Sequence, residues 1–324
     1  MALGEFDLIE TFFRPPVRRA VLGGGDDCAL LQPAPGMQLA VSTDMLVEGR
    51  HFLSTVPPER LGHKALAVNL SDLAACGAEP LAFTLGLCLP RADAAFLGPL
   101  ARGMLALAER HGIELVGGDT TAGPLALSIT VMGQVPAGQA LLRSGAAPGD
   151  DLWVSGTLGD ARLALEVFRG QVRLPGDGFE QVRQAMECPE PRVALGQALR
   201  GVASAAIDLS DGLLGDLRHV LARSQVGATV WLDALPRSPW LAAQPEAVQQ
   251  ACLLGGGDDY ELLFSAPPGA AAAVRAAAEH AGTRASRIGR ITPAAEGLQV
   301  LPAAGSPTAL DLSGWSGFDH FGSA

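Results

Sequence analysis

Basic side chains are scarce in this chain. Lys64 is the only lysine, set against 22 arginines, and acids outnumber bases to give a formal net charge of −11. Phosphate backbones attract basic surfaces, so nucleic acid is excluded as a partner. The lone lysine lies in Gly62-His-Lys-Ala-Leu66 and not in a Gly-Lys-Ser/Thr sequence, so there is no Walker A loop. Any ATP chemistry here must hold its nucleotide by another route. The five cysteines, Cys28, Cys76, Cys88, Cys188 and Cys252, form no CxxC pair and read as reduced thiols of a cytoplasmic protein. No run approaches the ~20 apolar residues of a membrane span. Residues 1–13 are broken by acids and polar groups, so no signal peptide is expected and membranes are not a partner. Tyrosine occurs once, and together with the Arg, Ala and Gly bias this fits GC-rich coding.

Glycine, by contrast, is abundant, and one glycine motif is doubled: Gly23-Gly-Gly-Asp-Asp27 returns as Gly255-Gly-Gly-Asp-Asp259. Glycines allow φ > 0 and close approach of a ligand to the main chain. Adjacent carboxylates concentrate negative charge, which a cation would neutralise. The motif therefore points to metal and phosphate chemistry near both ends of the chain. At 324 residues and 48% hydrophobic content, two domains with substantial cores are expected. Apolar runs predict strands at 39–41, 82–89, 114–116, 125–133, 205–209, 261–265, 287–291 and 298–301. Helical patterns fall at 59–76, 93–111, 161–168, 191–200, 211–223 and 270–281. Residues 136–151 read as a linker. The mixture gives an α/β (α+β) class, with domains at 1–140 and 148–324.

Acids stand where strands are expected to end, the usual ligand edge of α/β sheets: Asp44, Asp119, Asp208 and Asp211. Each has a hydroxyl nearby, from Ser42 and Thr43, Thr120 and Thr121, or Ser210. Hydroxyl and carboxylate oxygens are the hard ligands Mg²⁺ prefers. Two bland readings stand beside this one. Ser210 fits a helix N-cap, with Asp211 complementing the dipole, and Asp44 and Asp119 fit turns. In the predicted helix, Leu66, Leu70, Leu73 and Ala74 form an apolar stripe, while Asn69 and Asp72 share another face. They fit either a mutual buried hydrogen bond or a metal ligand at Asp72.

As a set, these segments resemble the thiamine-monophosphate kinases. The matching blocks are Gly24-Gly-Asp-Asp-Cys-Ala29, Ser42-Thr-Asp-Met-Leu-Val-Glu-Gly-Arg-His-Phe52, residues 64–75, Gly117-Gly-Asp-Thr-Thr121, Arg143-Ser-Gly145, Ile207-Asp-Leu-Ser-Asp-Gly-Leu213, Gly256-Gly-Asp-Asp-Tyr-Glu-Leu262 and Gly317-Phe-Asp-His-Phe321. They stand in the family's order and cover almost the whole chain. The resemblance implies an N-terminal mixed-sheet domain that binds ATP and Mg²⁺ and forms a dimeric barrel with a second copy. It implies a C-terminal α/β domain covering the active-site cleft. The implied reaction is ATP plus thiamine monophosphate giving ADP and thiamine diphosphate. Asp27, Ser42, Thr43, Asp44, Asp72, Asp119, Asp208 and Asp211 match several Mg²⁺ positions, with Asp27, Asp44, Asp72 and Asp208 as the core. Gly118, Asp119, Arg143 and Ser210 match nucleotide contacts. His51, Asp258 and Phe318 match the acceptor side. The family often has Glu at position 258, so here that side chain is one methylene shorter.

The chemistry suits such a residue set. Donor and acceptor are both anions, so transfer needs positioning and charge neutralisation. An acceptor phosphate is already ionised near neutral pH, its second pKa being about 6, so no acid or base is assigned. Related ATP-binding enzymes fit less well. Selenophosphate synthetase would want a reactive Cys or Lys near the N-terminus, and residues 1–21 have neither. The hydrogenase maturation factor would want a C-terminal Cys, but the sequence ends Gly322-Ser-Ala324. From other classes, a metal-dependent phosphohydrolase and a nucleotide-binding regulator are the rival readings.

Overall fold

The computed structural model describes residues 5–315, which form two compact units. The first runs to Leu73 and resumes over Ala78–Gly138; the second takes Ala74–Gly77 and everything from Gln139. No helix among the described residues is long and apolar enough to cross a membrane.

The first unit contains α1 (Glu5–Phe12), β1 (Met37–Val47), α2 (Pro58–Ala75), β2 (Glu79–Leu89), α3 (Ala94–His111), β3 (Glu114–Ala122) and β4 (Ala126–Pro136). Its four strands order β1-β4-β2-β3. β4 pairs antiparallel with both β1 and β2, and β3 joins β2 in parallel. α3 starts at an Asp93 cap whose side chain accepts from Ala95 N, and ends at Gly112 in the left-handed region (φ 61°). α2 and α3 touch main chain to main chain: a Cβ at Gly62 would stand 1.9 Å from Leu100 O, and one at Gly103 1.8 Å from Glu59 O. Only glycine permits that approach, and it seats α2 deeply enough that Lys64, Asn69 and Ser71 are buried along with its leucines. The apolar stripe read from the sequence is thus one part of a helix enclosed nearly all round.

The ladder carries two strands further than their apolar runs predict. β1 pairs residue for residue with β4 from Met37 to Val47, so Asp44 lies inside the strand and not after it. Asp119 likewise sits within β3, opposite Gly86. The turn readings of both acids are therefore corrected: backbone pairing overrides the low strand propensity of Gly and Asp.

The second unit contains β5 (Asp151–Ser155), α4 (Asp160–Phe168), α5 (Gly176–Glu187), α6 (Val193–Ala198), β6 (Ala205–Asp208), α7 (Leu213–Ser224), β7 (Val226–Trp231), α8 (Pro239–Ala242), α9 (Glu246–Gly255), β8 (Leu262–Ala266), α10 (Ala271–His280), β9 (Ala285–Pro293) and β10 (Leu298–Leu301). Six strands order β10-β7-β9-β5-β8-β6, all neighbours antiparallel except β10 with β7. Leu152, Val154, Ile207, Leu217, Val230, Leu254, Leu263 and Ile288 are among its buried core. β5, α5, β7, α8 and α9 lie in stretches where no element was expected.

Candidate active site

In the first unit the candidate residues Ser42, Asp44 and Asp72 lie where β1 meets α2. Strand alternation turns Ser42 and Asp44 to one face and Thr43 to the other. Asn69, 1% exposed, accepts from Asp44 N at 3.0 Å and donates to Ala65 O at 3.0 Å. Asp72 accepts from Ser42 Oγ at 2.5 Å. The Asn69–Asp72 pair that the spacing allowed is thus not what satisfies Asn69; both side chains grip β1 instead. Thr43 Oγ1 lies 2.8 Å from Thr130 Oγ1 across the β1–β4 pair, so only one of the two neighbouring hydroxyls joins the Asp72 face. His51 follows β1, and its Nδ1 accepts from Val47 N at 3.0 Å, which fixes the ring against that turn.

Asp27 occupies an exposed turn with Gly25 at φ 117°, and its N–H donates to Asp26 Oδ1. The segment before it is tied down by Glu114, which accepts from Arg18 N, Arg19 N and Ala20 N at 2.6–3.0 Å. Burial pushes the Glu114 carboxyl up, but these donors outweigh it and hold the group below the usual carboxylate range. On β3, Gly118 adopts φ 152°, and a Cβ there would stand 1.9 Å from Leu85 O. That glycine lets β3 stay paired while exposing Asp119.

In the second unit Asp208 ends β6, as expected, and is 5% exposed. The N-cap of α7 is Gly212 with no side-chain cap, so Ser210 does not cap it. The loop is held from inside the helix: Asp216 accepts from Asp211 N at 3.0 Å. Burial pushes the Asp216 carboxyl up to about 7; Asp211 and Ser210 N–H groups and the Arg143 charge counter it, and the Asp211 charge adds to it. Arg143 lies in the connection ahead of β5, its carbonyl accepting from Ser224 Oγ at 3.0 Å. The sign of the Asp216 effect follows from linkage. An acid raised from about 3.9 in the unfolded chain contributes stability that is complete below that value and lost as pH rises through about 7. In metal-free protein, Asp216→Asn is expected to flatten the fall in Tm between pH 5 and pH 8. An unchanged slope, measured by differential scanning fluorimetry, would reject the shift.

The second Gly-Gly-Gly-Asp-Asp leaves α9 and packs on that same loop. Asp258 N donates to Ser210 O at 2.9 Å and Tyr260 N to Leu209 O at 2.8 Å. A Cβ at Gly257 would fall 2.4 Å from Ser210 O. The left-handed residues here are Asp258 (φ 69°) and Tyr260 (φ 49°), not the glycines. The two copies of the motif therefore use glycine differently: the first has a left-handed turn at Gly25, the second a close backbone crossing. Asp259 points inward and accepts from Gly159 N through both oxygens, at 2.9 and 3.1 Å. Burial drives its carboxyl well above the ordinary range, and the charges of Glu261, Asp160 and Asp258 push the same way. Beside it Glu261 binds Arg192 by two hydrogen bonds, at 2.5 and 2.7 Å, and also accepts from Ser155 Oγ. The acid pair expected to face a cation is thus split in the second copy, since Asp259 is spent on Gly159 N; Glu261 lies in the same motif and Asp216 beyond the Ile207–Leu213 block, with no signal of a supporting role. Phe318 lies outside the described residues.

Among the described residues no three His, Cys, Asp or Glu side chains gather closely enough to hold an ion. The donor set is nonetheless all hard oxygen. Mg²⁺ is commonly held by one or two carboxylates, with water and substrate phosphates completing its shell. Hydroxyl and carboxylate donors of this kind suit that mode.

The AIR synthase related protein models match the chain in two parts, the N-terminal domain over residues 25–135 and the C-terminal domain over residues 147–300. The thiamine-monophosphate kinase of Salmonella typhimurium is 44% identical over 328 residues, covering 99% of each chain. The chain belongs to the thiamine-monophosphate kinase family. As a member of that family it is an enzyme, a phosphotransferase. A crystal structure of thiamine-monophosphate kinase from Stenotrophomonas maltophilia is 46% identical, with a TM-score of 0.83 over 88% of this chain and 92% of that one. A structure of AaThiL complexed with AMPPCP and TMP is 29% identical, with a TM-score of 0.74 over 86% of this chain and 88% of that one. Such family members share the two-unit, mixed-sheet α/β architecture described above.

Proposed function

We propose that this chain transfers the γ-phosphoryl group of ATP to thiamine monophosphate, giving thiamine diphosphate and ADP. The observation that carries the reading is the solved relative that holds AMPPCP and TMP on the same fold. In this proposal Gly118, Asp119, Arg143 and Ser210 bind the nucleotide, and His51, Asp258 and Phe318 face the acceptor. Asp27, Ser42, Asp44, Asp72, Asp119, Asp208 and Asp211 would hold several Mg²⁺ ions, with Thr43 contributing through its main chain because its hydroxyl faces Thr130. Bound Mg²⁺ would neutralise the charge that two anionic reactants bring together. The residues themselves position both phosphates for direct in-line transfer, and none acts as acid or base.

A homodimer belongs to the same reading. Leu39, Val41 and Met45 are 48%, 57% and 56% exposed on the face of edge strand β1 opposite Ser42 and Asp44. An apolar row on an unpaired edge supports closure against a second copy into a barrel. Five cysteines in the thiol form fit a cytoplasmic setting.

The test is incubation with ATP, Mg²⁺ and thiamine monophosphate. Thiamine diphosphate and ADP formed one for one are expected. ADP released without acceptor would favour the phosphohydrolase, and ATP binding without turnover the regulator. A kinetically competent phospho-enzyme would overturn direct transfer.

A further inference from the structure

Tyr260 is the only tyrosine of the chain, and the assignments above give it no role. It is 8% exposed and lies at φ 49°, a conformation that bulky residues rarely adopt and that persists only where the surroundings enforce it. Asp258, two residues earlier, is also left-handed. The two flank Asp259, whose carboxyl group is fixed on Gly159 N. Main-chain bonds from Asp258 N to Ser210 O and from Tyr260 N to Leu209 O pin each of them. The chain thereby doubles back, and the Tyr260 hydroxyl donates to Asp258 Oδ1 at 3.1 Å.

We infer that Tyr260 is a positioning residue for the acceptor, its hydroxyl aiming the Asp258 carboxylate at the cationic, amine-bearing heterocycles of thiamine monophosphate. The inference rests on the proposed kinase reading. An O–H donor orients the carboxylate that it bonds, and a cationic ring is recognised only by a carboxylate turned toward it. It matters more here because Asp258 is short: a side chain with a single methylene has little reach, so its direction decides whether contact is made. The donor also belongs to a backbone stretch bonded to the Leu209–Ser210 loop, so the carboxylate is set before any acceptor arrives. A tyrosine serving only to fill the core would need its ring but not its hydroxyl.

Tyr260→Phe separates the two roles, since it keeps the ring and removes the donor. Loss of a hydrogen bond to a charged group is expected to raise the KM for thiamine monophosphate about tenfold. The KM for ATP and kcat at saturation are expected to stay at wild-type values, with Tm lowered by a few degrees at most. In an Asp258→Ala background the same change is expected to have no further effect on that KM. Calorimetric titration of the full chain with thiamine monophosphate gives a readout independent of turnover, and about tenfold weaker binding to Tyr260→Phe is expected. Equal affinity of the two proteins would overturn the inference, whatever the assay shows. A parallel rise in the KM for ATP would also overturn it, as general loosening of the loop. Wild-type protein that binds thiamine monophosphate without phosphorylating it would sink the kinase reading and leave the binding comparison to decide the role of Tyr260. Wild-type protein that does not bind it would overturn both.

Discussion

Asp72→Asn is expected to yield a folded protein that has lost kinase activity by at least about a hundredfold. The substitution is nearly isosteric, and an amide oxygen still accepts from Ser42 Oγ, so the β1–α2 contact keeps its shape. α2 stays seated against α3 through Gly62 and Gly103, which the change does not touch. What disappears is one negative charge beside a second acid-bearing strand, where a divalent cation is proposed to bind. The expected pattern is unchanged circular dichroism and elution volume with turnover that more Mg²⁺ restores only partly. Near wild-type turnover at ordinary Mg²⁺ would remove Asp72 from the site and favour a structural role. A regulator that only binds nucleotide would tolerate the substitution as well.

Glu261→Ala has the largest expected effect on stability, a loss of about 3–5 kcal/mol. Glu261 is nearly buried, and its carboxylate takes two hydrogen bonds from Arg192 and one from Ser155 Oγ. Burial alone pulls the Arg192 guanidinium down, yet Glu261 outweighs it and holds that pKa above its usual value. Truncation leaves this cation enclosed without its partner. It also opens space against Gly156, where a Cβ would run into the Glu261 carboxylate. Urea denaturation monitored by fluorescence measures the loss directly. A change below about 1 kcal/mol would place the pair among surface ion pairs, which contribute little. Glu261→Gln, which keeps an acceptor but not the charge, is expected to fall between.

The strand centres and most helices were legible because their apolar patterns are local. The ends of β1 and β3 were not, because Ser42-Thr-Asp44 and Gly117-Gly-Asp119 become strand only through pairing with β4 and β2. α5 hid because its buried stripe is thin, with Val182 and Met186 in an otherwise polar run, and α9 because its buried residues cluster at its end, Cys252–Leu254. The candidate site residues were legible as motifs, whereas their supports were not. Asp259 meets Gly159, and Asn69 meets Asp44, across gaps of 100 and 25 residues that no short-range pattern records. The sequence offered Asn69 a bond to Asp72; its bond to β1 depends on which strand lies above the helix, which no spacing within α2 records.

The two bonds that join β1 to α2 have a further meaning during synthesis. Ser42 and Asp72 are 30 residues apart, and Asp44 and Asn69 are 25 apart. A nascent chain that has exposed only β1 offers the Ser42 hydroxyl and the Asp44 N–H before their α2 acceptors exist, and no short peptide cut from either segment would retain the arrangement. The site comes into being when the helix docks, as a product of closing that loop. A ribosome-bound chain truncated before residue 72 should therefore be blind to the ligands that the finished unit is proposed to hold.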